Sequence, residues 1–178
     1  SERAFEMEAI DINLAAVEQV YFLGIGGIGM SALARYFLHC GKRVAGYDQI
    51  ETPLTRQLTS EGAVIHYVDK PALIPASYRK PDKRTLIIYT PALPPNALEI
   101  EFFRWQGVRL YKRAEVLGVI ARDYRVFAVA GAHGKTTTTT LLMYLLSQSQ
   151  GCDAFMGGIS LNVNSNLYLG DKGQHNLV

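Results

Sequence analysis

Cysteine is scarce in this chain of 178 residues: there are two, Cys40 and Cys152, with no CxxC pair and no ligand-like spacing to the four histidines. That excludes a disulfide framework and the common zinc patterns. Each thiol reads as buried and reduced, as suits a cytoplasmic protein. Charge of one sign is also lacking. The formal net charge is +2, too small to point toward nucleic acid. The densest basic stretch, Tyr78-Arg79-Lys80-Pro81-Asp82-Lys83-Arg84, holds a proline and reads as a solvated loop. No apolar run approaches the roughly 18 residues that a membrane span needs, and the opening SERAFEMEAI does not have the pattern of a secretory signal. What is present is ordinary for a protein that buries a core, with 48% hydrophobic and 19% charged residues.

Short β-rich runs alternate with helical stretches. Val20-Tyr21-Phe22-Leu23 predicts a strand, followed by a glycine turn and a helix over 29–40 that stops at Gly41. Residues 43–47 predict a second strand ending at Asp48, and Thr52-Pro53 opens a helix to about Glu61. Further strands are expected over 63–67, 86–89 and 108–111, with helices over 95–106 and 113–121. This order implies an α/β fold with a Rossmann-like, mostly parallel sheet covered on both faces. A polar joint at Ala121-Arg122-Asp123-Tyr124 suggests two domains, residues 1–122 and residues 123–178. The second opens with a strand over 126–130, a second glycine turn and a helix over 135–149, then a looser Gly- and Asn-rich tail. One clear strand and one clear helix are too little to bury a sheet, so the second domain is expected to be the truncated start of a P-loop-type α/β domain.

Gly24-Ile25-Gly26-Gly27-Ile28-Gly29 fits G-x-G-x-x-G between a strand and a helix. The first glycine permits a tight turn, the second lets backbone approach a pyrophosphate, and the third lets helix and strand pack closely. The helix N-terminus adds free N–H groups and partial positive charge. Asp48 ends the second strand, where a carboxylate accepts from a ribose hydroxyl or caps the turn. On its own this cradle suggests a nicotinamide cofactor and hydride transfer.

The second cradle tells against that. Gly131-Ala132-His133-Gly134-Lys135-Thr136-Thr137 is a shortened Walker A loop, with Val129 where the strict pattern has its first glycine. The working parts remain: converging backbone N–H groups, Lys135 as a point charge for the terminal phosphates, and Thr136 as a Mg²⁺ ligand. Of the threonine run, Thr136 and Thr137 are placed for ligand. Thr138, Thr139 and Thr140 are poor helix formers whose hydroxyls can bond carbonyls a turn earlier. His133 either touches phosphate or orders the loop.

Two such cradles, the second spelled G-x-H-G-K-T-T, resemble the Mur ligases, ATP-dependent amide-forming enzymes of peptidoglycan synthesis. VYFLGIGGIGMSALARYFL, VAGYD, YTPALPPN, LYKRAEVLGVI, VAGAHGKTTTTTLL and AFMGGIS carry the resemblance from about Val20 to about Ser160, most closely to the member that adds L-alanine. The resemblance implies that the first cradle holds UDP-N-acetylmuramate, with Ile25, Gly26, Gly27, Ile28, Gly29, Met30 and Asp48 facing it. Thr90-Pro91-Ala92 would join them at a strand's C-terminal end. It implies ATP and Mg²⁺ at Gly131, Ala132, His133, Gly134, Lys135, Thr136 and Thr137, with Lys135 catalytic and Thr136 on the metal. Arg113 is a weaker candidate, read as a surface or ion-pair arginine. One departure stands out: the family's usual G-T-H-G-K-T has Ala132 for its threonine here, which removes a hydroxyl but no backbone N–H.

The resemblance further implies that the family's acidic metal-binding stretch and the domain that takes L-alanine lie beyond Val178, so this chain alone is expected to be inactive. No nucleic-acid or membrane partner is expected. Three rival readings stay open: a muropeptide ligase of the same superfamily, a nicotinamide-dependent oxidoreductase using the first cradle, and a nucleotide-sensing module without chemistry.

Overall fold

The computed structural model describes residues 10–160, 165–170 and 176–178; residues 1–9, most of the opening stretch read as lacking the pattern of a secretory signal, lie outside them. Five strands form one parallel sheet: β1 (Gln19–Leu23), β2 (Arg43–Tyr47), β3 (Val64–His66), β4 (Thr85–Tyr89) and β5 (Tyr111–Lys112), in the order β3-β2-β1-β4-β5. β1 is buried along its whole length because it is central, in register with Arg43–Tyr47 on one side and Thr85–Tyr89 on the other. The chain winds outward from β1 to β3, then crosses back to β4. The crevice at the C-terminal ends of β1 and β4 is therefore the switch point at which open α/β sheets hold ligands.

Strand residues alternate between two buried faces. Val20, Phe22, Val44, Leu86 and Ile88 face one apolar layer with Leu33 and Phe37 of α1 (Ile28–His39), Leu58 of α2 (Pro53–Ser60), and Val116 and Ile120 of α4 (Arg113–Ala121). Tyr21, Leu23, Ala45, Tyr47 and Ile87 face the other, against Ile74, Tyr78, and Ile100 and Phe103 of α3 (Leu98–Trp105). Burying side chains of this size on both sides is the main source of stability, at about 1.5–3 kcal/mol for each large apolar group. One carboxylate is buried among them. Glu99 is fully covered, accepting from the Tyr21 hydroxyl and lying 3.0 Å from His66 Nε2.

Most expected elements are found within a residue or two. Thr52 opens α2 with a reciprocal capping box, its Oγ1 accepting from Thr55 N at 3.2 Å. Two elements shift for non-local reasons. α3 begins at Leu98, not 95, because Pro94 and Pro95 precede a turn and Asp69 caps the helix from outside, accepting from Leu98 N at 2.7 Å and Glu99 N at 3.0 Å. β5 is displaced from 108–111 to Tyr111–Lys112, since β4 offers it partners only at Ile88 and Tyr89. Cys152 is buried as expected, but Cys40 is exposed, because it follows the last turn of α1 at the surface.

Beyond α4 the layers thin. β6 is Arg125–Val126 only, where 126–130 was expected. Its partner β9 (Asn176–Leu177) pairs two residues, and Phe127 N adds one bond to Leu177 O at 2.7 Å. α5 (Lys135–Ser149) follows. The described residues of the Gly- and Asn-rich tail are more regular than its composition suggests: β7 (Ala154–Ser160) and β8 (Ser165–Tyr168) pair antiparallel. They rest on α1, with the Tyr36 and Phe155 rings 5.6 Å apart. α1 thus supplies the floor that this short segment lacks.

Candidate functional site

The first glycine turn leaves β1 through a backbone only glycine tolerates. Gly24 has φ +90, and a Cβ there would stand 2.2 Å from Thr90 Cγ2. Its N–H and that of Ile25 both donate to Tyr47 O, at 2.8 and 3.0 Å, so the turn is stitched to β2. Thr90 N in turn donates to Leu23 O at 3.0 Å. The Thr90-Pro91-Ala92 turn thus stands against the glycine turn at the switch point, with Pro91 and Ala92 exposed.

Asp48 braces the same turn. Its Oδ2 accepts from Gly26 N at 2.7 Å and its Oδ1 from Ile50 N at 3.2 Å. Of its two anticipated roles the geometry displays turn capping, and a ribose contact would use the remaining lone pairs. Gly26 has no room for a side chain, since a Cβ would meet Asp48 Oδ2 at 2.8 Å and Thr55 Cγ2 at 2.9 Å. Gly27 is the N-cap of α1 and has no side-chain cap, which leaves first-turn N–H groups available to an anion. Gly27 and Ile28 are exposed at this mouth. Ile25 and Met30 turn their side chains into the core, at 0% and 5% exposure, which leaves their backbone to meet a ligand.

Arg113 was expected to be a surface or ion-pair residue, and it is exposed. Its guanidinium lies over Gly29, whose Cβ position is 2.8 Å from Arg113 Cζ, and among the described residues it forms no ion pair. A cation held at the positive end of a helix is unfavourable unless an anion joins it. No local sequence signal announces this contact between residues 84 positions apart.

The second cradle is built differently. Gly131 to Lys135 are all exposed, and Gly134 caps α5 in the left-handed conformation at φ +74. Lys135 Nζ turns over the loop and donates to Gly131 O and, at 3.4 Å, to Ala132 O. Thr136 is half-buried and Thr137 exposed, both in the first turn of α5. The expected back-bonding of the threonine run is seen at Thr140, whose hydroxyl donates to Thr136 O at 2.7 Å; Thr139 is buried. His133 is exposed and has no hydrogen-bond partner among the described residues.

A cavity of about 500 Å³ lies between α4 and the second cradle. Arg113 and Leu117 of α4 form one wall, and Lys135, Thr136 and Thr139 of α5 another. The arginine at the mouth of the first cradle and the lysine of the second therefore face a common space. Among the described residues no group of three His, Cys, Asp or Glu side chains could hold a metal ion, and no helix is long and apolar enough to cross a membrane.

Comparison with known proteins adds names to this geometry. The profile of the Mur ligase family, catalytic domain, matches residues 19–125. A UDP-N-acetylmuramate–L-alanine ligase of Parabacteroides distasonis is 51% identical over 170 residues, covering 95% of this chain and 36% of that protein. The crystal structure of a UDP-N-acetylmuramate–alanine ligase from Thermotoga maritima superposes with TM-score 0.76 at 31% identity, over 89% of this chain and 36% of that one. A murein peptide ligase from Psychrobacter arcticus gives TM-score 0.73 at 28% identity, over 90% and 37%. The chain spans about a third of the length of these relatives.

Proposed function

The chain belongs to the Mur ligase family, and from that premise we propose that it forms the two nucleotide cradles of an ATP-dependent ligase joining L-alanine to UDP-N-acetylmuramate. The observation that carries this reading is the cavity that sets Arg113, whose guanidinium lies beside Gly29 of the first cradle, across from Lys135 and Thr136 of the second. A substrate that lays its diphosphate on α1 and extends its acid toward α5 would present a carboxylate to a phosphate-binding loop.

The chemistry then follows from what a carboxylate needs. It is a poor electrophile, so its oxygen first attacks the γ-phosphorus of ATP, forming an acyl phosphate and releasing ADP. The amine of L-alanine next attacks the acyl carbon; the amide forms, phosphate leaves, and the amine gives up a proton. Lys135 supplies positive charge where the transferring phosphoryl gathers negative charge. The first-turn N–H groups of α5 hold the phosphates, with Gly134 free to adopt the turn. Arg113 neutralises the diphosphate or acid end of the sugar substrate.

The residues fit a Mg²⁺ ion in one respect: Thr136 offers a hydroxyl on the cavity wall beside the phosphate loop. With one protein ligand, the remaining positions fall to phosphate oxygens and water, as this ion prefers. When bound it would neutralise charge on the phosphates.

Relatives 51% and 47% identical over 95% of this chain are named UDP-N-acetylmuramate–L-alanine ligases, which favours L-alanine as the amine. Calorimetric titration with UDP-N-acetylmuramate and, separately, NADH tests the first cradle. Saturable binding of the UDP-sugar with no heat from NADH is expected, with a raised melting temperature by mass action. Binding of NADH alone would overturn the reading in favour of a nicotinamide enzyme.

A further inference from the structure

The tail segment reaches back into the first cradle through one side chain. Asn166, on β8, is fully buried against the first turn of α1. Its Nδ2 donates to Ile28 O at 2.6 Å and to Ser31 Oγ at 2.8 Å. Its Oδ1 accepts from Arg35 Nη1 at 3.2 Å. Arg35 is itself held by Glu61 at the end of α2, through Nε at 2.9 Å and Nη2 at 2.8 Å. Ser31 is fully buried and adds a further bond, its hydroxyl donating to Ile28 O at 2.9 Å. Two side-chain donors thus converge on one carbonyl, beyond its place in the helix ladder.

That carbonyl belongs to the peptide group whose other end is the Gly29 N–H. A peptide unit is planar and trans, so its N–H points away from its C=O. Gly29 is the second residue of α1 after the Gly27 cap, and its N–H is among those a helix leaves unsatisfied. Hydrogen bonds accepted at a carbonyl polarise the whole peptide and strengthen its N–H as a donor. We propose that Asn166 is a positioning residue for the first cradle: it clamps and polarises the Ile28–Gly29 peptide, so that packing of the phosphate-loop segment tunes the donor offered to the diphosphate. This rests on the first cradle being a diphosphate site. The second segment thereby prepares the first nucleotide site, and a change in the seating of β8 reaches the diphosphate through a single side chain.

The test uses the whole 178-residue chain. UDP is titrated calorimetrically, and ¹H–¹⁵N spectra are recorded without ligand, for the parent chain, Asn166→Ala and Ser31→Ala. Asn166→Ala is expected to raise the Kd for UDP about fivefold, near the net worth of one hydrogen bond. The Gly29 amide proton should move upfield while that of Gly24, bonded to Tyr47 O, stays in place. Ser31→Ala should act in the same direction with a smaller change. Unchanged affinity, or weaker binding with the Gly29 resonance unmoved, overturns the proposal, because a merely structural role would not single out that amide. Should Asn166→Ala unfold the tail strands, Ser31→Ala decides, since Ser31 lies on α1. Failure of the parent chain to bind UDP would count against the diphosphate reading, while the Gly29 resonance still decides the clamp.

Discussion

The two cradles have the same parts, a strand, a glycine turn and a helix N-terminus, but opposite support. At the first, three of the four glycines are hemmed in: Thr90 stands against Gly24, Asp48 against Gly26 and Arg113 against Gly29. The strand beneath it is paired on both sides along its full length. At the second, no atom lies within 4 Å of a Cβ built on Gly134, and the strand beneath pairs over two residues. The difference teaches that a glycine motif records two separate requirements. In the first cradle glycine is demanded by crowding from the fold; in the second it serves backbone conformation and access for a ligand.

That contrast should appear first in paired substitutions. Gly24→Ala combines a left-handed backbone with a steric overlap that Thr90 must relieve, and should cost about 3 kcal/mol or more in denaturant unfolding. Gly134→Ala meets only the backbone preference, and a loss of about 1 kcal/mol is expected. Equal losses would break the comparison.

The pH response should separate the regions next. Burial first, then Glu99, pushes the Tyr21 hydroxyl far above the ordinary tyrosine value, and burial pushes Tyr78 up to about 12. A folded value raised above the unfolded one favours the protonated form. The contribution is complete below about pH 10, the unfolded value, and is lost as pH rises toward and through about 12. Alkaline titration followed by circular dichroism should therefore show the five-stranded layer losing stability above about pH 10. In the tail, burial raises the Asp153 carboxyl despite the bonds it accepts from Gly170 N and Tyr124. By the same sign, its contribution is full below about pH 4 and is lost as pH rises, so mild acid should tighten the tail.

Smaller effects sharpen the contrast. Asp48→Ala removes an acceptor from Gly26 N and Ile50 N, and should cost about 1–2 kcal/mol while weakening UDP binding. Lys135→Ala should leave unfolding stability within about 0.5 kcal/mol, as expected of an exposed side chain, yet abolish ATP binding and spare UDP binding. Hydrogen exchange should rank the regions likewise, with β1 amides opening only on global unfolding and those of Phe127 to Lys135 exchanging early.

The first layer was legible because its signals are local. Gly41 closes α1 and Thr52-Pro53 opens α2, and the apolar runs of β1, β2 and β4 have no other stable use. What escaped the sequence depends on distant partners. Asp69 decides where α3 starts, and β4 decides where β5 can pair. The tail strands were read as loose because their glycines and asparagines are poor strand formers, and α1 overrides that preference by lending them a packed surface. At the site, spacing alone placed each glycine turn ahead of a helix. That Ile25 and Met30 are buried was not legible, because a motif does not say which way its side chains turn. The contacts of Arg113 with Gly29 and of Asn166 with Ile28 were not legible, because each reaches α1 from a distant part of the chain.

The central claim is that the two cradles serve two different nucleotides. Residue-resolved ¹H–¹⁵N titration of the whole chain, first with UDP and then with ATP and Mg²⁺, tests it most directly. UDP is expected to shift the amides of Gly26 to Gly29, and ATP those of Gly134 to Thr137. Both nucleotides moving the same cradle would contradict it.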